Sequence, residues 1–504
     1  MSSSQPLIAC PNVACTNPLN ALGQMVCETC QTPLLYRYLR ATGTAAAQIA
    51  VQTQVAERYY VIAPQIWLDL QPRFLAEAPE TLPEEIMPYG SLYPQRLHIP
   101  RVYGFCQSDP ESQLNILLLE NVPLDAGGQP FPTLRAAWSQ ATAVRQVYWL
   151  WQILQMWTPR LGLKVASSLL VADNLRVEGW RVRLQELFAD PQTIPPTEAA
   201  HFLLTPLAEL PSLQALANSW QPLIQTAQAT LSQPLQALWE QLQDPSATLP
   251  LISAQLNQLL LEQAALLPLQ TQVTGASDVG MQRSHNEDTC FPTLEDLPET
   301  NVPSRNPLIP HWTIVCDGIG GHEGGEIASQ LAVRSLKLQV QALLTEVAEQ
   351  KEPVAPDLLM EQLEASIRVV NNLIAAQNDA QGRESRQRMG TTLVMALQLP
   401  QAIRTPTGLG NTHELYLAHV GDSRAYWITE RYCHQLTVDD DVTTREARLG
   451  RALYREALQR PDAGSLTQAL GTRDGEQLHL TLQRFIIEED GLLLLCSDGL
   501  SDNN

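Results

Sequence analysis

Positive charge is scarce in this chain. Its 504 residues carry 32 lysines and arginines against 53 acidic residues, a formal net charge of -21, and a single lysine, Lys164, precedes residue 300. That balance argues against a broad surface for nucleic acid or an anionic membrane, and it favours solubility and cationic ligands. Long apolar runs are missing too. No stretch of about eighteen such residues occurs, so no membrane-spanning helix and no membrane partner is expected. The first arginine is Arg37, so no basic leader opens the chain; no secretory signal is expected, and the protein reads as cytoplasmic. Cysteine is sparse, nine in all, and five of them (106, 290, 316, 433 and 496) stand alone.

The other four cysteines are grouped. Cys10 and Cys15, then Cys27 and Cys30, form two close pairs separated by eleven residues. Four thiolates so arranged suit a tetrahedral Zn²⁺, and a segment this short has no core of its own without a metal. A structural zinc ribbon over residues 1–38 is expected, with Gln31 standing where a knuckle glycine would be usual. In a cytoplasmic chain disulfides are the weaker alternative.

The length predicts about three domains. Residues 39–57 are small and polar and read as a linker. Residues 58–190 carry β-type runs at 58–70, 101–106 and 114–120, a Trp-rich helical stretch at 138–157, and a loop with a hairpin over 165–187. The tryptophans 138, 149, 151 and 157 are read as core. This order resembles a protein-kinase-like domain, with Leu118-Leu119-Glu120 as hinge strand, Asn174 at the catalytic-loop asparagine and Glu186-Leu187-Phe188 at the metal-binding triplet. The chemistry such a domain needs is absent. There is no glycine-rich phosphate loop and no strand lysine, and Ser167-Ser168-Leu169 stands where H-R-D belongs. The resemblance implies an inactive pseudokinase that senses or docks regulatory partners; an unrelated α/β segment is the alternative. Residues 191–270, rich in leucine, alanine, glutamine and proline, read as several short helices forming a lobe or connector.

Chemistry concentrates in residues 271–504. A buried strand over residues 312–316 is expected to end at Asp317, in a loop with five glycines. A carboxylate at a strand end, with the Gly318 carbonyl uncovered beside it, suits a hard cation such as Mg²⁺ or Mn²⁺. A second buried strand, 492–496, also stops at Asp-Gly, at Asp498, and is read as the second arm of a hairpin with 480–487. Asp422 is placed at the tip of another hairpin, 415–420 with 424–428. The three aspartates form a plausible cage for two or three divalent ions. Arg283 lies four and five residues before Glu287 and Asp288, and its planar fork suits phosphate oxygens beside acidic ligands.

From Asp278 to Asp498 the chain resembles the bacterial metal-dependent type-2C Ser/Thr protein phosphatases. Seven motifs carry the resemblance in order: G-M-Q-R-S-H-N-E-D, V-C-D-G-I-G-G-H-E-G-G-E, M-G-T-T-L, H-V-G-D-S-R-A-Y, L-T-V-D, L-T-Q-A-L-G and C-S-D-G-L. It implies an α/β sandwich of two antiparallel sheets flanked by helices, in a multidomain α/β protein that hydrolyses phosphoserine and phosphothreonine in phosphoprotein substrates. By the resemblance, Asp317 bridges two Mn²⁺ or Mg²⁺ ions, Gly318 offers its carbonyl, Asp498 completes the first site and Asp422 helps hold a third ion. Glu287 and Asp288 act on the metals directly or through water, Arg283 takes the substrate phosphate, and His322 is the candidate general acid. Asp440 and Gln468 depart from the family pattern, which has histidine and a basic residue there. Only four residues follow Leu500, whereas the family continues to a D-N-x-T motif, so a truncated fragment is expected. The alternative function is a catalytically inactive phosphatase-like scaffold that binds phosphoproteins.

Overall fold

The structure, a computed structural model, describes residues 6–108, 115–191, 202–281, 285–297, 306–320, 324–350, 352–384, 387–406 and 408–502. It divides into two units, Met1–Leu256 with Glu446–Ala463, and Asn257–Arg445 with Gly464–Asn504.

In the first unit a hairpin of Leu7–Ala9 with Leu19–Ala21 is followed by a six-stranded antiparallel sheet. Its order is Gln54–Val55, Tyr59–Ala63, Ile66–Asp69, Arg37–Ala41, Ile116–Glu120 and Arg101–Cys106. Residues 39–57 are therefore not a linker. Arg37–Ala41 is an interior strand paired on both sides, and Gly43–Gln48 is a short helix. Leu39 and Ala41 face the core, but small residues follow Ala41 through the stretch that reads as a linker, while Arg37 and Arg40 mask the apolar signal of the strand.

The helix Ala143–Gly162 packs on the hairpin Leu175–Glu178 and Arg181–Leu184, with the Gln152 side chain donating to Trp180 O at 2.7 Å and accepting from Val182 N at 3.0 Å. Trp138, Trp149 and Trp157 are buried, as core tryptophans should be, whereas Trp151 is only half-buried. Three helices follow, Leu213–Ile224, Ala229–Gln243 and Leu249–Ala264. Pro222 and Pro234 lie inside helices instead of dividing them; the breaks fall at residues 225–228 and 244–248.

Three buried carboxylates of this unit are matched by guanidinium groups. Asp69 accepts from Arg58 at 3.0 and 2.7 Å, and Glu186 from Arg40 at 2.6 Å. Glu120 receives Arg37, Arg101 and, from the Glu446–Ala463 segment, Arg455, at 2.9, 2.9 and 3.1 Å. Burial alone would raise Glu120, but the three arginines hold it below the usual carboxylate range.

The second unit is built on two antiparallel sheets. The larger runs Asp288–Phe291, Trp312–Ile319, Leu393–Gln398, Glu414–Val420 and Thr481–Ile486, with Gly390–Thr391 also pairing with Trp312–Ile319. The smaller runs Cys433–Gln435, Arg424–Ile428 and Leu492–Cys496. Helices Gly324–Glu349 and Pro356–Ala380 cover one face of the larger sheet. Ala328, Ala332 and Leu336 from the first, and Leu359, Leu363 and Ile367 from the second, join Trp312, Ile314 and Cys316 in one core. Both helices repeat buried residues every four positions, the stripe that a sheet-packed helix presents. The Leu492–Cys496 strand lies against Trp312–Ile319 and Leu393–Gln398 on the other face.

Two expected hairpins are not hairpins. Glu414–Val420 belongs to the larger sheet and Arg424–Ile428 to the smaller; Thr481–Ile486 and Leu492–Cys496 are divided the same way. Each turn carries the chain across from one sheet to the other. A tight turn fixes a reversal of direction but not the strand that receives the next segment, so sequence signals alone cannot separate the two cases.

Within the larger sheet, Glu414 and Arg484 form a fully buried ion pair at 2.7 Å, with Tyr416, Gln401 and Thr412 donating to the same carboxylate at 2.8–2.9 Å. Replacing Arg484 with Met leaves that charge buried without its cation. Urea unfolding is expected to show a loss of about 3–5 kcal/mol, with Arg484→Lys intermediate.

Candidate metal centre

The strand Trp312–Ile319 alternates strictly, with 312, 314, 316 and 318 buried and 313, 315, 317 and 319 on the opposite face. Period two thus carries Asp317 to the face away from the helices, lining an open trough of about 1480 Å³. The strand does not stop at Asp317, as the glycine loop suggested. Gly318 and Ile319 continue it by pairing with Thr391 and Gly390. Asp317 is instead held inside a ladder: its carbonyl accepts from Thr392 N at 2.8 Å and Thr391 Oγ1 at 2.9 Å, and its N–H donates to Thr392 Oγ1 at 3.0 Å.

Directly opposite Asp317 on the neighbouring strand is Asp288. Like charges facing each other across a sheet oppose its pairing. Asp498, opening the short helix after Leu492–Cys496, lies with Asp288 within hydrogen-bond reach of the Asp317 carboxyl. Burial, then these two neighbours, pushes Asp317 up to about 8. Asp422, at the crossover Gly421-Asp422-Ser423, is pushed up to about 7 by burial and then by Asp498 and Asp439. Glu287 gives its carbonyl to Gly318 N at 3.2 Å and Ser329 Oγ at 2.7 Å, and its side chain lies against Gly325. Gly318 has no room for a side chain, because a Cβ would meet the Gly325 carbonyl oxygen at 2.2 Å and that of Glu287 at 2.7 Å.

The structure thus brings Asp317, Asp288, Asp498, Asp422, Gly318 and Glu287 together. Arg283 and His322 lie outside the described residues. Four contributors were not read from the sequence as parts of the site. Thr392 links the Asp317 backbone to Ser423 Oγ at 2.6 Å, Ser497 Oγ donates to Asp288 Oδ2 at 2.8 Å, and Asp439 faces Asp422 while binding Arg424 at 2.7–3.2 Å. Their motifs, M-G-T-T, G-D-S-R, L-T-V-D and C-S-D-G, were visible; their side-chain partners were not.

The donor set fits hard divalent cations. It consists of carboxylate oxygens around a glycine-lined backbone, and no salt bridge among the described residues reaches Asp288, Asp317, Asp422 or Asp498. Asp69, Glu120, Glu186 and Glu414 are each paired with arginine, whereas among the described residues no such pair forms here.

Comparison with known proteins agrees. A family model described as protein phosphatase 2C matches residues 309–504. The serine/threonine phosphatase stp of Listeria monocytogenes serotype 4b is 30% identical over 231 residues, covering 45% of this chain and 76% of stp. The chain belongs to the protein phosphatase 2C family. The phosphatase PstP of Mycobacterium tuberculosis is 31% identical over 238 residues, which are 47% of this chain and 38% of PstP. A crystal structure of the PstP catalytic domain in complex with two manganese ions overlaps 45% of this chain and 77% of that one, at 29% identity and a TM-score of 0.31.

The raised carboxyls of this phosphatase 2C centre make stability depend on pH in a defined sense. Asp317 and Asp422 hold protons in the folded state up to about 8 and about 7, whereas unfolded they lose them near the ordinary carboxylate value of about 4. Their contribution is complete below that value and is lost as pH rises through the folded values. In chelator the melting temperature is expected to fall between pH 5 and 8. Added Mn²⁺ should raise it, more at pH 8 than at pH 5, and Asp317→Asn should flatten the fall.

Proposed function

We propose that the second unit hydrolyses phosphoserine and phosphothreonine esters of proteins with Mn²⁺ or Mg²⁺. Membership of the protein phosphatase 2C family gives the reaction class. The observation that carries the site is the facing pair Asp288 and Asp317, with Asp498 beside them and no ion pair to any of the three among the described residues. The two manganese ions of the PstP catalytic domain support the choice of metal.

Asp317, the Gly318 carbonyl and Asp498 would hold two ions, and Asp422 would help hold a third. Glu287 and Asp288 would hold metal-bound water or the ions themselves. When bound, such ions supply a water acidic enough to attack phosphorus near neutral pH and offset charge on the phosphoryl oxygens. The chain's own groups do the rest. Thr391 and Thr392 fix the Asp317 backbone so that its carboxyl cannot retreat from Asp288, and Ser497 orients the Asp288 carboxyl. Arg283 takes the phosphate of the substrate, and His322 gives a proton to the departing alkoxide. An inactive scaffold is the less favoured reading, since each described ligand position is filled.

For the first unit we propose a regulatory role. The sulfurs of Cys10, Cys15, Cys27 and Cys30 all lie within 4.8 Å of one another, a set suited to structural Zn²⁺. Hydrogen bonds from Thr32 lower the Cys30 thiol to about 6, while burial raises Cys15 to about 12. Gln31 adopts φ 60°, the left-handed turn that a knuckle glycine would take more easily. The following sheet, helix and hairpin support a kinase-like module without phosphotransfer chemistry, and Glu186 of its triplet is paired with Arg40 at 2.6 Å. Such a ribbon and module would dock regulatory protein partners. No helix among the described residues is long and apolar enough to cross a membrane, and a cytoplasmic location fits this reading.

Para-nitrophenyl phosphate turnover is expected to require Mn²⁺ or Mg²⁺, to stop in chelator, and to fall by about 10²-fold or more in Asp317→Asn. Turnover that survives both treatments excludes the mechanism. Elemental analysis is expected to find zinc retained after mild Mn²⁺ removal and lost in Cys27→Ser, with disruption of the ribbon.

A further inference from the structure

Three consecutive acids, Asp439, Asp440 and Asp441, follow the smaller sheet, and each is used differently. Asp439 binds Arg424 through both oxygens. Asp441 Oδ1 accepts from Thr444 N at 2.7 Å, capping the helix Val442–Arg448. Asp440 turns back to the crossover that carries Asp422. Its Oδ2 accepts from Gly421 N at 2.9 Å, and its own N–H donates to Gly421 O at 2.7 Å, so both polar groups of the Gly421 backbone end on one residue.

A brace comes from the far side of the Glu446–Ala463 segment. Gln468, buried, donates to the same Asp440 oxygen at 2.8 Å, while its amide is fixed by His479 O at 2.7 Å and His479 N at 3.1 Å. Thr467 donates to Asp440 O through both N–H and Oγ1, at 2.7 and 2.8 Å. Asp441 bridges Leu466, and Val442 N donates to Ser465 O at 3.0 Å. Residues 440–442 and 465–468 are thereby closed into a clasp, between whose arms the chain leaves this unit at Arg445 and returns at Gly464.

What the clasp holds is narrow. Gly421 has φ 102°, and a Cβ there would meet Thr392 at 2.8 Å, so the turn sits against the residue that bonds the Asp317 backbone. Thr392 Oγ1 also reaches Ser423 Oγ at 2.6 Å. One line of hydrogen bonds therefore runs from Asp317 through Thr392 to the Asp422 turn, and from that turn through Asp440 to Gln468. Asp440 and Gln468 are the two positions that depart from the family pattern, and here they complement each other as acceptor and donor.

We propose that Asp440 and Gln468 are positioning residues for Asp422: together they set the turn that presents its carboxyl to a divalent ion, from outside the ligand shell. The proposal rests on Asp422 being a cation ligand, and part of its test is independent of that reading.

The test uses the full chain with Asp440→Ala, Asp440→Asn and Gln468→Ala. Hydrogen exchange of a peptide spanning Gly421 in chelator is expected to be about tenfold faster in Asp440→Ala and close to the parent in Asp440→Asn, which keeps an oxygen for Gly421 N. Calorimetric titration with Mn²⁺ should show the weakest site loosened several-fold in Asp440→Ala, with kcat for para-nitrophenyl phosphate largely recovered at saturating Mn²⁺. Gln468→Ala should shift both readouts the same way, about two- to threefold, and carries the test if Asp440→Ala does not fold. Unchanged exchange at Gly421 overturns the proposed turn contact, and so does equal impairment in Asp440→Ala and Asp440→Asn. Faster exchange with unchanged Mn²⁺ binding overturns the link to Asp422 as a ligand.

Discussion

The second unit is organised around a repulsion. Asp288 and Asp317 are placed directly opposite each other on paired strands, and Asp498 is brought to the same point from the other sheet. No arrangement of neutral neighbours makes three close carboxylates comfortable at neutral pH, so a fold that assembles them must be stabilised elsewhere until a cation arrives. The stabilisation is visible in the core of two long helices against Trp312, Ile314 and Cys316, on the opposite face of the strand that carries Asp317. Alternation along one strand thus assigns its two faces to opposite tasks: one buries apolar surface, the other presents charge to the trough.

The rest of the chain shows that this repulsion is not an oversight. Asp69, Glu120, Glu186, Glu414 and Asp439 are each buried or half-buried, and each is met by one to three arginines. With 32 basic residues against 53 acidic, guanidinium groups are limiting, yet Glu120 alone receives three. That four aspartates at one place receive no such partner among the described residues is therefore informative. An acidic cluster on a solvated surface would say little; four acids gathered by two sheets and a glycine cradle, two of them with strongly raised proton affinity, ask for a ligand carrying positive charge.

Much of this was legible in the sequence, and the limits were physical. The Asp-Gly pairs at 317 and 498 and the N-E-D run pointed to acids that the structure brings together, because apolar runs and glycines are local signals. The partners of those strands were not legible. The turns at Gly421 and Asp490 looked like hairpin tips, whereas in the structure they pass the chain between sheets, and only that crossing brings Asp422 toward Asp498. The end of the strand at Asp317 was misplaced for a related reason, since its last residues are held by Gly390–Thr391, some seventy residues away. In the first unit Arg37–Ala41 was missed beside a stretch of small residues, although it is an interior strand of the sheet.

Asp439, Asp440 and Asp441 show the same limit at single-residue scale. A triplet of acids near the end of a strongly acidic chain has every appearance of a solvated turn. In three dimensions its members bind a guanidinium, a glycine backbone and a helix N-terminus, and no two share a partner. Their separation follows from backbone geometry, because neighbouring side chains along extended backbone point to opposite sides. The middle acid holds the Gly421 backbone, and a residue that grips both polar groups of a left-handed glycine, one with its side chain and one with its own N–H, removes the freedom that made glycine necessary there. The glycine permits the crossover and Asp440 restricts it, so the position of Asp422, at the end of a strand two places from that of Asp317, becomes a property of the fold.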